Sequence, residues 1–169
     1  NAEPGPRTPN QNPEPRTRTA NAEPRTMNDL TSPDSVVRRW FDEVWNAGRE
    51  ESIERLMAPN ALVHGLGDEV MIGHAQFLAY FRKMRTALRP IEVNVVRTVV
   101  EGEMVVAHCH VTARHSGASL GGPQTGRTVD FWGMTMARVV DGQIVEGWNS
   151  FDFLTMFQQF GWVPNPPSP

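Results

Sequence analysis

Hydrophobic positions begin abruptly in this chain. Residues 1–26 contain no Val, Ile, Leu, Phe, Trp or Met, and from Val36 onward apolar pairs recur every four positions, as Val36-Val37, Trp40-Phe41 and Val44-Trp45. That spacing predicts a helix with one apolar face. Ser32 as N-cap, Pro33 at the first helical position and Asp34 in the first turn mark its start, and Asn46 to Gly48 its end. A short helix is expected over "REESIERLM", stopped by Pro59-Asn60. "ALVHG" reads as a brief strand, and "HAQFLAYFRKMRTAL" as a third helix with Phe77, Leu78, Phe81 and Leu88 inward, closed by Pro90.

The second half changes period. "IEVNVVRTVV", "MVVAHCHVTARH", "RTVDFWGMTMARVV" and "QIVEGWNSF" read as long strands, with tight hairpins at Gly102 and Asp141-Gly142. "DFLTMFQQFG" is a closing helix capped by Asp152 and stopped by Gly161. Helices followed by a meander of antiparallel strands predict an α+β fold, with the helices on one face of a curved sheet. Strands of about ten residues exceed the usual length, so the sheet is expected to bend and cup, leaving an apolar pocket under the helices.

Strand parity assigns the faces. In "VVAHCHVTARH", Val105, Ala107, Cys109, Val111, Ala113 and His115 share the apolar face, while His108 and His110 fall on the other. The inner set faces the pocket and puts His115 at its rim. On the next strand both faces are largely apolar, and parity does not choose between the set with Phe131 and Thr135 and the set with Trp132 and Met134.

Composition narrows the function classes. The 169 residues are 39% hydrophobic, enough for one domain with a real core. A net charge of −3 without a block of Lys and Arg gives no attraction to nucleic acid or to an anionic membrane surface. No apolar run approaches the roughly 18 residues of a membrane span, so a soluble, cytoplasmic protein is expected. The one cysteine, Cys109, excludes an internal disulfide and a Cys-based zinc site, and reads as a buried small apolar group. The His108 and His110 pair lacks a third ligand placed by sequence, so no metal is expected. "LGGPQTG" lies between two strands without opening a helix, which argues against a phosphate loop, and no cofactor is implied. The opening segment repeats "EPGPRT" at 3–8 and "EPRT" at 14–17 and 23–26, too polar to offset its chain entropy. The expected organisation is a disordered leader over 1–29, one domain over 30–163 and a short tail over 164–169.

The element order, together with "VVRRWFDEVWNAG", "GGPQTGRTVDFWG", "ARVVDGQIVEGW" and "FDFLTMFQQFG", resembles the SnoaL-like polyketide cyclases of the nuclear transport factor 2-like superfamily, over about residues 33 to 163. The resemblance implies an α+β cone, a deep pocket for a small hydrophobic molecule, and a homodimer packed through the outer sheet face. It also selects the Thr135 set as pocket-facing, because the cyclases carry a functional polar residue there. Thr135 and Asn149 would then meet inside.

The resemblance breaks at one place. The cyclases, and the similar limonene-type epoxide hydrolases, carry an acid/base aspartate at the position of Asn149, and the hydrolases' Arg-x-Asp pair is replaced here by Ala113 and His115. An amide does not accept a proton near neutral pH, so neither mechanism transfers intact. His115 is left as the pocket-side group that titrates near neutrality. The catalytic set expected is therefore His115 as general acid or base, with Asn149 and Thr135 holding the reacting oxygen. The competing reading is that His115 hydrogen-bonds a carbonyl of the loop after it. Ligand-wall residues expected are His64, Trp40, Phe81, Phe131 and Cys109. Function divides between a cofactor-independent cyclase, isomerase or hydrolase on a small hydrophobic molecule and a non-catalytic binding or dimeric interaction protein of the same fold.

Overall fold

The structure, a computed structural model, describes residues 30–164. The leader and most of the tail expected from the sequence lie outside the described residues.

The first helix begins as expected. Ser32 caps α1 (Pro33–Arg39), accepting from the Ser35 backbone N–H at 3.4 Å. The helix then widens into a π-helical stretch, Trp40–Asn46. The sequence carries the reason. Apolar pairs repeat every four residues, and four residues of α-helix overshoot a full turn by about 40°, so an α-helix alone would rotate the last pair off the face. The wider turn brings it back, and Trp40, Phe41, Val44 and Trp45 are all buried.

After α2 (Glu51–Leu56) the chain passes directly into β1 (Met57–His64), four residues earlier than the "ALVHG" reading. Pro59 and Asn60 do not end a helix. They sit in the irregular part of β1, where its register shifts between Met57 and Leu62, a position where a residue without an N–H is tolerated. A two-residue strand, β2 (Met71–Ile72), pairs antiparallel with β1 and was not expected from sequence. It leads into α3 (Gly73–Ala87), which buries Phe77, Phe81, Met84 and Ala87.

Four strands follow: β3 (Leu88–Glu101), β4 (Met104–His115), β5 (Thr128–Val140) and β6 (Gln143–Phe151). They form an antiparallel meander within one six-stranded sheet of order β2-β1-β6-β5-β4-β3. The exception to antiparallel pairing is β1 with β6, where Val63 lies opposite Gly147 and His64 opposite Trp148. The sheet is curved and unclosed, and the helices cover one face, as the α+β expectation has it. Burial alternates strictly along β4 and β5, with Val105 to His115 and Val129 to Ala137 inward, the faces expected for both strands.

Two side-chain amides pin the periphery to strands. Asn46, at the end of the π-helical stretch, donates to Val93 O at 3.0 Å and accepts from Val93 N at 2.7 Å, blunting the β3 edge. Gln159 does the same to Asp130 on β5, at 2.6 and 2.8 Å. Gln159 belongs to α4 (Phe153–Phe160), whose N-cap Asp152 accepts from Thr155 N at 2.9 Å and which ends at Gly161.

Candidate functional site

Between the helices and the concave sheet face lies a cavity whose empty space, open solvent at its mouth included, is about 770 Å³. Every helix except α2 and every strand except β2 contributes to its wall. Trp40, Phe41 and Trp45 come from the first helix, Phe77, Tyr80 and Met84 from α3, and Phe131, Thr135, Asn149 and Phe151 from the sheet. The composition of that wall is its chief chemical fact. Among its residues there is no Asp, Glu, His, Lys, Arg or Cys.

Its polar centre is a pair that the sequence reading also joined. Thr135 on β5 lies opposite Asn149 on β6, and the Thr135 hydroxyl donates to Asn149 Oδ1 at 2.6 Å. Asn149 Nδ2 donates to the backbone carbonyl of His64 at 2.9 Å. That second bond depends on the parallel β1–β6 pairing and on Gly65. Its φ is +78°, and a Cβ there would stand 2.0 Å from the Asn149 carbonyl oxygen, so only glycine lets the chain leave β1 this close to Asn149. Both ends of the amide are thereby fixed, each by one hydrogen bond. One N–H of Asn149 takes part in neither bond.

His115 is elsewhere. The β4–β5 register sets Thr135 opposite Ala107, and from Ala107 to His115 is roughly 26 Å of strand at about 3.3 Å per residue. His115 is not in the cavity wall, and the geometry does not bring it to a common atom with Thr135 and Asn149. It is fully buried, stacked on Phe160 at 3.9 Å between ring centroids and meeting Trp162 edge-on at 5.0 Å. Nδ1 accepts from the Thr125 backbone N–H at 3.2 Å and lies 3.0 Å from its hydroxyl, so the proton resides on Nε2, which has no partner. Burial pushes its pKa down, partly offset by a backbone contact at Gly117. The loop contacts of His115 are thus with Thr125 and with the backbone at Gly117, in the segment just after it.

The remaining candidates divide. Trp40 and Phe131 line the cavity. Phe81 stands behind the wall, edge-on to Trp45 at 5.4 Å. Cys109 is buried outside the wall, and burial raises its thiol pKa to about 12, which suits packing and not nucleophilic attack. The His64 ring points away from the cavity wall, bonded to Glu146 Oε1 at 2.9 Å and stacked on Trp148; His64 serves the site through its carbonyl. His108 and His110 flank Trp132 on the outer face, with His110 against Asp130 at 2.8 Å. Among the described residues no group of three or more His, Cys, Asp or Glu could hold a metal ion, and no helix is long and apolar enough to cross a membrane.

Tyr80 is one of the wall residues that the sequence reading missed, and the helical period contained it, because Phe77, Tyr80 and Met84 fall at i, i+3 and i+7. Antiparallel arithmetic also held the placement of His115. The loop between β4 and β5 joins residue 115 to 128, so Thr135 must pair about eight residues back from His115.

Comparisons with known proteins agree with this architecture. A family model described as SnoaL-like polyketide cyclase matches residues 35–160. A proposed SnoaL-like polyketide cyclase from Jannaschia sp. CCS1 is 26% identical with a TM-score of 0.73, the match covering 85% of this chain and all of that one. IdmH, a proposed polyketide cyclase from Streptomyces antibioticus, is 28% identical with a TM-score of 0.68 over 76% of this chain and 98% of that one. AclR, a proposed hydroxylase from Streptomyces galilaeus, shares the fold at 21% identity and a TM-score of 0.71 over 80% and 88% of the two chains. No curated protein is significantly similar to the chain in sequence.

Proposed function

Because the chain belongs to the SnoaL-like polyketide cyclase family, we propose that its cavity binds a small hydrophobic molecule, and that it does so without the proton-transfer chemistry of an aspartate-bearing cyclase. The observation that carries this reading is the wall itself, which holds no residue able to give or take a proton near neutral pH. Tyr80, the wall's phenol, has its pKa pushed further up by burial and stays protonated. Asn149 acts as a fixed donor. Its free N–H meets an oxygen of the ligand while Thr135 and His64 O hold the amide in orientation. His115 packs the far end of the sheet under α4 and contributes there to stability.

A cyclase, isomerase or hydrolase remains the second reading, favoured by that same N–H, which is aimed from a pre-organised amide and would stabilise an enolate oxygen as it forms. Such a reaction would need the substrate to supply its own base. Saturable binding of anthraquinone, read as quenching of cavity tryptophan fluorescence, tests the binding reading. Absence of saturable binding contradicts it.

The convex face supports self-association. Along β5, Trp132, Met134 and Met136 point outward with Trp132 46% and Met134 52% exposed, a contiguous apolar surface of the kind that marks an interface. A second copy of the chain, packed through this face about a two-fold axis, is the occupant proposed.

A further inference from the structure

Charge is unevenly divided along the strands. The antiparallel meander puts the start of β3, the end of β4 and the start of β5 at one end of the sheet. The other end holds the two tight hairpins, joined by Val139 N donating to Glu103 O at 2.9 Å, and there Glu101, Glu103 and Asp141 are all exposed. The first end is cationic. Leu88 stands opposite His115 and Ile91 opposite Ala113, so the register shift between them sets Arg89 across from Arg114. Arg114 donates through Nε to Gly126 O at 3.2 Å, and Arg127 through Nη1 to Gln159 O at 3.1 Å. Arg85, in the last turn of α3, donates to Trp45 O at 2.7 Å. Burial, and after it the neighbouring charge of Arg89, push the Arg85 pKa below its usual value. Arg38, Arg39, Arg55 and Arg82 each pair with a carboxylate, whereas Arg85, Arg89, Arg114 and Arg127 pair with none among the described residues. The loop beside them, "SGASLGGPQTG" over 116–126, contains no Asp or Glu.

We infer that this end of the sheet, carrying Arg85, Arg89, Arg114 and Arg127, is a docking surface for a partner protein that presents a cluster of carboxylates. None of the four arginines lines the cavity, so the surface is separate from it. Cations held together without counter-charges repel one another, and an acidic partner relieves that repulsion. The acidic hairpins do not. From Met104 to Arg114 is roughly 33 Å of strand at about 3.3 Å per residue, several times the Debye length of about 8 Å at physiological salt. Backbone carbonyls already hold three of the guanidinium groups, and a guanidinium's planar fork matches a carboxylate. Those three are held on different segments, at Trp45, Gly126 and Gln159, which suits several carboxylates and not one small anion. The chain's net charge of −3 works against an extended polyanion such as nucleic acid, whereas a compact acidic patch meets the cationic end alone.

Dye-labelled hexaglutamate serves as the probe, with fluorescence anisotropy as the readout. The expected result is saturable binding in about 20 mM salt that fades toward about 150 mM. Arg89→Glu removes one attraction and adds one repulsion, each of the size of an exposed ion pair, and should weaken binding roughly fivefold or more. Arg97→Glu carries the same net charge but changes β3 farther along, opposite His108, and should leave the affinity within about twofold. Arg89→Gln, which keeps the bulk without the charge, should give a smaller loss than Arg89→Glu and melt as wild type does, since Arg89 is exposed. No saturable binding at low salt, or an unchanged affinity in Arg89→Glu, overturns the proposal. Equal losses in Arg89→Glu and Arg97→Glu reduce the effect to net charge and overturn it too. Displacement of the peptide by inorganic phosphate at matched ionic strength assigns the arginines to a small anion instead. Tighter binding of a single-stranded oligonucleotide than of hexaglutamate assigns them to nucleic acid. Self-association that Arg89→Glu abolishes, without peptide binding, assigns them to the acidic hairpins of a second copy. Each of these three results overturns the acidic partner.

Discussion

Thr135 and Asn149 face each other across β5 and β6, with the Thr135 hydroxyl 2.6 Å from Asn149 Oδ1 and donating to it. Because Asn149 also donates to His64 O at 2.9 Å, a flip of the amide would set Oδ1 against a carbonyl that only accepts. Thr135→Val keeps the shape and deletes the donor. It is expected to cost about 1 kcal/mol of stability and to weaken anthraquinone binding severalfold while sparing anthracene. Thermal melting and titration with the two probes check both parts.

Asn149→Asp restores the residue type that the aspartate-bearing relatives are expected to carry, but against an acceptor. Where Nδ2 now donates to His64 O, only a protonated carboxyl can do so, and the folded pKa of the new carboxyl should rise above the usual value of about 4. With a folded pKa above the unfolded one, its contribution is fully present below about pH 4 and is lost as the pH rises through the folded value. The variant should melt well below wild type at neutral pH and approach it in acid. A deficit that does not vary with pH would contradict the placement of Asn149.

His115 gives the opposite slope. Burial holds its folded pKa below the unfolded value of about 6.5, so the folded state binds fewer protons in that window. Stability is present above about pH 6.5 and is lost as the pH falls from there toward the folded pKa. His115→Phe, which keeps a ring against Phe160, should flatten the acid side of the melting profile and leave probe affinity unchanged. Loss of ligand binding in this variant would return His115 to the site.

Gly133 sits inward on β5 beneath a ring that lines the cavity. A Cβ there would stand 2.1 Å from Phe151 Cδ1 and 2.5 Å from its Cγ, too close for the ring to remain. Gly133→Ala should cost about 1–3 kcal/mol by overpacking and push Phe151 from its place in the wall. Melting and probe titration should therefore fall together. Retention of wild-type affinity would contradict the position assigned to Phe151.

On the outer face, Met134→Glu places a charge at the centre of the exposed β5 strip. Sedimentation should show a dimer for wild type and a monomer for the variant, with the fold intact by circular dichroism. A monomeric wild type would contradict the proposed two-fold interface.

The sequence made the strands legible because period-two alternation, hairpin turns and inward apolar sets are local signals. β4 and β6 have the expected ends, whereas parity left the β5 face open, and Thr135 meets Asn149 as the family resemblance implied. The parallel β1–β6 pairing was not legible, since nothing local records which strand a short segment joins, and it is this pairing that turns His64 into a partner of Asn149 through its carbonyl. His115 was misread in reach but not in face. Parity puts its side chain inward, whereas distance along the strand decides which inward neighbours it meets. The π-helical stretch was written in the four-residue repeat of apolar pairs, a period slightly too long for an α-helix.

The most direct test of the account is the affinity of wild type for anthraquinone measured from about pH 5 to about pH 9, a span in which every residue type able to act as acid or base near neutrality would reveal itself. A wall without Asp, Glu, His, Lys, Arg or Cys, oriented by Asn149 and Thr135, predicts saturable binding with an affinity that stays flat across the range while the protein remains folded. An affinity that steps through a titration in the folded protein, or no saturable binding at any pH, would contradict it.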